Sequence, residues 1–89
     1  MNAEEVLLEA GYEGIKFFVN YSYDDALIGV SHDGRAIYDY GKMIEWLIDE
    51  ENWSYEEAAE WIEFNTLRAL SYMGSDAPII MYPVSYLGE

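Results

Sequence analysis

Carboxylates dominate the chemistry open to this chain. Eighteen Asp and Glu stand against Lys16, Arg35, Lys42 and Arg68, with one histidine and no cysteine. A nucleophile–base pair needs a Cys or Ser within reach of a base. Here the sole imidazole is His32, and no Gly-x-Ser-x-Gly elbow presents a serine. Phosphate cradles need glycine-rich loops that lead into helices, yet none of the seven glycines forms Gly-x-Gly-x-x-Gly or a Walker pattern. His32 beside Asp33 has the composition of an acid–base dyad or half a metal site, but neighbours in a strand or turn point apart, which leaves a surface histidine at a hairpin tip. Acidic pairs at Asp24-Asp25, Asp49-Glu50-Glu51 and Glu56-Glu57 match a glycosidase pair or a hard-cation site by residue type. With carboxylates this abundant such matches discriminate nothing, and no Asp-x-Asp-x-Asp-Gly loop is present. The expectation is a protein with no catalytic residue, no metal site and no cofactor: a binding protein, not an enzyme.

The charge balance says what it would bind. A formal net charge of −14 exceeds the magnitude of about 2 to 8 usual for a small domain. Such an excess repels nucleic acid and anionic lipid and speeds encounter with basic surfaces. Solubility, or adaptation to salt, is the plainer explanation of the same number. The chain is not a disordered acidic tail, because 52% of it is hydrophobic and 17% aromatic, with three Trp and nine Tyr. Eighty-nine residues without repeats or Gly/Ser linkers suit one domain, 1–89. Without cysteine no disulfide supplements the core, so a reducing cytoplasm is the expected setting. No apolar run approaches the roughly 20 residues that span a bilayer. The opening Met1-Asn2-Ala3-Glu4-Glu5 is also unlike a secretory leader, so no membrane partner is expected.

The elements that must position these side chains read as α+β. Asn2 as N-cap with Glu5 three residues on starts a short N-terminal helix from about Ala3 to Ala10, stopped by Gly11, with Val6, Leu7 and Ala10 facing inward. Residues 14–23 are aromatic and β-branched, which favours a strand, although Ile15, Phe18 and Val19 also fit one helical face. Asp33-Gly34 between apolar runs predicts a β-hairpin over about 26–40. A two-residue loop would pair His32 with Arg35 and Val30 with Ile37, putting Ile28, Val30 and Ile37 on one face. Gly41 ends the strand, and 42–52 follows as an amphipathic helix with Met43, Ile44, Trp46, Leu47 and Ile48 apolar. Ser54-Tyr55-Glu56-Glu57 is a capping box that opens a second helix over about 55–70. Its buried stripe is Ala58, Ile62, Thr66 and Ala69, and the two helices form a helical hairpin. Asn65 and Thr66 interrupt its apolar side, so their side chains should bond within the domain, since an unsatisfied buried amide costs about 1 to 3 kcal/mol. Arg68 should pair with Glu63 or Asp76. Pro78 and Pro83 bracket a C-terminal edge strand, about 78–82, that completes a small antiparallel sheet.

On this frame Glu45 and Asp49 share the outer side of the first long helix, and Glu56, Glu60 and Glu63 share one face of the second. Like charges at those spacings cost a few tenths of a kcal/mol each, and the sequence accepts that cost repeatedly. Duplex DNA presents its phosphates at an axial rise of about 3.4 Å per strand, so carboxylate rows on rigid helices offer a comparable field to a groove lined by Lys and Arg. The partner-binding set is therefore Glu45, Asp49, Glu56, Glu60 and Glu63 with Tyr55. The expected partner is a basic protein, such as a nucleic-acid-binding enzyme, and not nucleic acid itself. Tyr21, Tyr23, Tyr38, Tyr40, Tyr55, Tyr72 and Tyr82 are further contact residues, because tyrosine is common at interfaces. A homodimer built on Trp and Tyr, or an antitoxin-like partner of a basic protein, is the competing class.

From Asp25 through Met81 the chain resembles a group of short acidic proteins of bacteria and their phages for which no activity is established. The residues that carry the resemblance are Ala26-Leu27-Ile28-Gly29-Val30, Asp33 to Tyr40, Met43 to Trp46, Trp61 to Thr66, and Pro78 to Tyr82. It implies the same α+β fold and raises a phage origin. Anti-CRISPR and antirestriction proteins are similar in size and charge, an analogy without a shared motif.

Overall fold

The computed structural model describes Asn2–Gly88 and has the expected α+β architecture, a three-stranded sheet with helices packed on it. Helix α1 (Ala3–Glu9) opens with the capping box read from the sequence. Asn2 Oδ1 accepts from the Glu5 amide at 2.9 Å, and Glu5 Oε1 accepts from the Asn2 amide at 3.1 Å. Gly11, at φ +102°, ends it. Leu7 alone is buried in this helix, whereas Val6 and Ala10, expected inside, are exposed. A helix of two turns packed over the first strand has room for one anchor.

Residues 14–23 form no strand. A strand would send Phe17 and Phe18 to opposite faces. Here the segment runs irregularly across the core, burying Phe18 and Tyr23, with Ile15, Phe17 and Tyr21 half-buried beside them. The Phe18 amide donates to the Tyr38 hydroxyl at 3.2 Å, and Tyr23 sits at φ +51°, a left-handed turn that breaks any ladder.

Strands β1 (Leu27–Val30) and β2 (Ala36–Asp39) form the predicted hairpin in a different register. Only Gly34, and not Asp33, takes positive φ (+88°), so the loop is the three residues His32-Asp33-Gly34. Ser31 closes it, its carbonyl accepting from Gly34 at 2.9 Å and its amide donating to the Arg35 carbonyl at 2.8 Å. Val30 therefore faces Ala36 and Gly29 faces Ile37, with a bulge between Leu27 and Gly29. The slip separates Ile28 and Ile37, expected on one face with Val30, from Val30, which packs on the core beside Leu27, Ala36 and Tyr38, and leaves Ile28 44% exposed.

Helix α2 (Tyr40–Glu51) starts two residues before the expected 42–52, because Asp39 at the strand end caps it, accepting from the Lys42 amide at 3.1 Å. Gly41 is thus helical and does not break the chain. Asn52 in the left-handed conformation ends α2. Helix α3 (Tyr55–Trp61) opens with the Ser54–Glu57 capping box as expected. It then widens through a π turn at Ile62–Thr66, resumes as α4 (Leu67–Ala69) and tightens into a 3₁₀ turn at Leu70–Tyr72. Asn65 Nδ2 donates to the Trp61 carbonyl, i−4, at 3.1 Å, in competition with the backbone. The Leu67 amide reaches five residues back to Ile62.

Strand β3 (Ile79–Met81) is the C-terminal edge strand, but it lies parallel to β2, pairing Ile79 with Ile37 and Met81 with Asp39, so the sheet is mixed and not antiparallel. The excursion through α2, α3 and α4 supplies the long helical crossover that parallel pairing requires. Helix α5 (Val84–Gly88) follows. The core between sheet and helices is Leu27, Ala36 and Tyr38 against Met43, Ile44, Leu47, Ala58 and Ile62, with Phe18 and Tyr23 at one side.

Candidate interaction surface of the helical pair

The Asp39 and Ser54 caps fix the starts of α2 and α3, and buried Met43, Ile44, Leu47, Ala58 and Ile62 fix their rotation. Glu45, Asp49, Glu56, Glu60 and Glu63 are consequently turned outward, and all five are exposed. Glu45 and Asp49, one turn apart, line a shallow depression of about 200 Å³ with Asp25, Lys42 and Trp46. Glu60 lines another, of about 370 Å³, with Trp53, Glu57, Trp61, Phe64 and Asn65. Glu63 lies toward a tyrosine cluster and helps to push the Tyr40 hydroxyl above its ordinary pKa, after burial and Tyr82 and Tyr55. Tyr55 bonds through its hydroxyl to Tyr86, and the Tyr40 ring packs on Tyr82 at 4.7 Å and Tyr86 at 5.5 Å. The hydrogen bond to Tyr55 and partial burial push Tyr86 up to about 12. Five of the six sequence-derived residues thus fall into three patches rather than one row, and Glu56 is exposed at the start of α3.

None of the five carboxylates forms an ion pair among the described residues, although Lys42 shares the depression of Glu45 and Asp49. Among the described residues the ion pairs are Lys16–Asp76 at 2.8 Å and Arg35–Asp33 at 3.9 Å. Lys16 Nζ also donates to the Met73 carbonyl, and its bond to Asp76 holds that carboxyl below the usual range. Arg35 Nε donates to the Ala77 carbonyl at 2.8 Å. Arg68 pairs with neither Glu63 nor Asp76 as expected, because Lys16 already holds Asp76; its guanidinium lies 5.5 Å over the Phe64 ring. His32 is exposed at the hairpin loop. No group of three or more His, Asp or Glu among the described residues is placed to hold a metal ion. The described helices include none long and apolar enough to cross a membrane.

The aromatic residues divide differently from the expectation. Tyr23 and Tyr38, expected at the surface, are both 0% exposed. Burial pushes Tyr38 up to about 12, and it raises Tyr23 against the opposing pull of Thr66 and Trp61. The Tyr23 hydroxyl and Thr66 Oγ1 are 2.6 Å apart, the internal bond expected of Thr66. Asn65 is exposed, bonding only to its own helix. Trp61 Nε1 lies near the Tyr23 hydroxyl but without hydrogen-bond geometry to any described acceptor. Tyr21 sits at the centre of the tryptophans, 5.9 Å from Trp46, 6.0 Å from Trp53 and 5.3 Å from Trp61. Tyr55, Tyr72 and Tyr82 are exposed, as expected of contact residues. Sequence reasoning missed the Trp53–Trp61 notch. Its signal was the spacing of Trp53, Glu57, Trp61 and Asn65, each four residues apart and hence along one side of the helix.

No protein-family model matches the chain, and no match is found among curated proteins or solved structures.

Proposed function

We propose that this chain is an acidic protein-binding module that presents the α2 and α3 carboxylates to the basic site of a nucleic-acid-binding protein, acting in the cytoplasm as a nucleic-acid mimic. On this reading it is an anti-CRISPR-like inhibitor carried by a phage or mobile element, and it works by occupancy without turnover. The supporting observation is that Glu45, Asp49, Glu56 and Glu60 project from two capped, core-anchored helices and Glu63 from the π turn that follows, and that none of them forms an ion pair among the described residues. Helices held in this way present charge without a large ordering cost at the moment of binding.

The test is displacement of DNA from a basic nucleic-acid-binding partner by excess protein. Competition should weaken steeply as ionic strength rises, because exposed charges more than about 8 to 10 Å apart are screened at physiological salt. The variant carrying Glu45→Gln, Asp49→Asn, Glu56→Gln, Glu60→Gln and Glu63→Gln should lose most of the competition while keeping its circular dichroism. Failure of the wild type to displace DNA from any basic partner removes the reading.

A second reading, a regulatory homodimer or an antitoxin-like partner, is favoured by one observation. Tyr55, Tyr82, Tyr86, Val84 and Leu87 are all exposed around the C-terminal helix, with Val84 at 84% and Leu87 at 68%. Sedimentation equilibrium separates the two, since an aromatic interface would persist in high salt where a charge-driven complex would not.

A further inference from the structure

Beside the acidic side chains, the helical pair carries a notch with flat aromatic walls. The indole centroids of Trp53 and Trp61 are 5.8 Å apart with planes inclined at 48°, and Phe64 closes a third side. Tyr21 packs edge-on behind both indoles, so the walls are held in place before any ligand arrives. The rim is made of acceptors. Glu57 uses Oε1 to cap Ser54 and keeps Oε2, Asn65 donates Nδ2 to Trp61 and keeps Oδ1, and Glu60 is exposed with neither oxygen in a hydrogen bond or ion pair among the described residues. No lining residue carries positive charge, and the depression, about 370 Å³, is open to solvent.

We propose that this notch receives an arginine side chain of the basic partner, its guanidinium stacked on the Trp53–Trp61 wall and its N–H groups donated to Glu60 and Asn65. The inference rests on the acidic-module reading and specifies which group of the partner is seated where. A guanidinium is planar, weakly hydrated and carries five donors, which suits aromatic faces bordered by acceptors. A lysine ammonium is compact and strongly hydrated, and it uses the flat walls less well. An apolar occupant would strip water from Glu57 and Glu60 and return no hydrogen bond. A guanidinium already stacks on an aromatic ring of this chain, Arg68 over Phe64, and the net charge of −14 draws further cations toward the surface.

The test uses the full chain with an arginine-rich and a lysine-rich peptide of equal length and charge, read by calorimetry and by the tryptophan indole N–H resonances. The arginine peptide should bind about fivefold more tightly at low salt and shift the Trp53 and Trp61 indole signals. Glu60→Gln should weaken it about fivefold, and Glu9→Gln, an exposed acid of α1 outside the partner-binding set, by no more than about twofold. Both substitutions lie on exposed positions, so the fold survives them. Equal affinity for the two peptides, unmoved indole signals, or equal losses in Glu60→Gln and Glu9→Gln would each overturn the notch while leaving the acidic-module reading intact. Should neither peptide bind even at low salt, that reading falls and takes the notch with it.

Discussion

The loop end of the sheet and the outer side of the helical pair treat charge in opposite ways. Around the hairpin loop, Lys16 and Arg35 are spent on Asp76, Asp33 and the carbonyls of Met73 and Ala77, so that bases join the irregular 14–23 segment and β2 to the stretch leading into β3. Across α2 and α3 no acid forms an ion pair among the described residues. Two of the four bases are therefore structural ties at the loop end, whereas Lys42 on α2 and Arg68 on α4 form no ion pair among the described residues. What anchors the acidic region is the apolar layer beneath it.

The largest expected effect tests that anchoring. Leu47 is fully buried under the turns that carry Glu45 and Asp49. Leu47→Ala should cost about 2 to 5 kcal/mol, read by urea denaturation, through lost burial and the cavity left behind. A loss well below that range would mean that α2 is held by something other than its core face.

Next comes the bond that ties the π turn to the irregular segment. Thr66 Oγ1 and the Tyr23 hydroxyl, both buried, are the only side-chain link described between those stretches. Thr66→Val keeps the shape and leaves the tyrosine hydroxyl unsatisfied, at an expected cost of about 1 to 3 kcal/mol. Tyr23→Phe combined with Thr66→Val should recover part of that loss, because neither polar group then remains. A double variant weaker than the single would disprove the pairing.

How far the sequence revealed this arrangement depended on the range of the interaction. The Asn2–Glu5 and Ser54–Glu57 boxes, the Asp33-Gly34 loop and the outward placement of the five carboxylates rest on neighbours within four residues, and were legible. The hairpin register was not, because Asp-Gly suits both a two-residue and a three-residue loop, and Ser31 decides between them. The parallel pairing of β3 depends on where the helical crossover returns the chain, which no local pattern encodes. Residues 14–23 carry strand-type residues, yet buried Phe18 and half-buried Phe17 pack against one core along an irregular path, a tertiary outcome that local propensity does not encode. The outward carboxylates follow from helical spacing, whereas the notch depends on Trp53 and Trp61 lying side by side with Tyr21 edge-on to both, which only the folded path of the irregular segment sets.

The smallest effects sharpen the contrast most, because one chemical change should act with opposite sign in the two regions. Lys16 holds the Asp76 carboxyl below its usual pKa. A group lowered in the folded state adds stability above its unfolded value, and that contribution is lost as pH falls through the folded value. Asp76→Asn should therefore lower stability near neutrality and flatten the acid side of the stability–pH curve below about pH 4. Glu45→Gln removes a like-charge neighbour of Asp49 one turn away on α2 and touches no ion pair. It should raise stability by a few tenths of a kcal/mol at low salt, an increment that fades as salt is added. If Glu45→Gln destabilised the fold as Asp76→Asn does, the helical carboxylates would have to be held by contacts within the domain, and a surface kept free for a partner would no longer account for their placement.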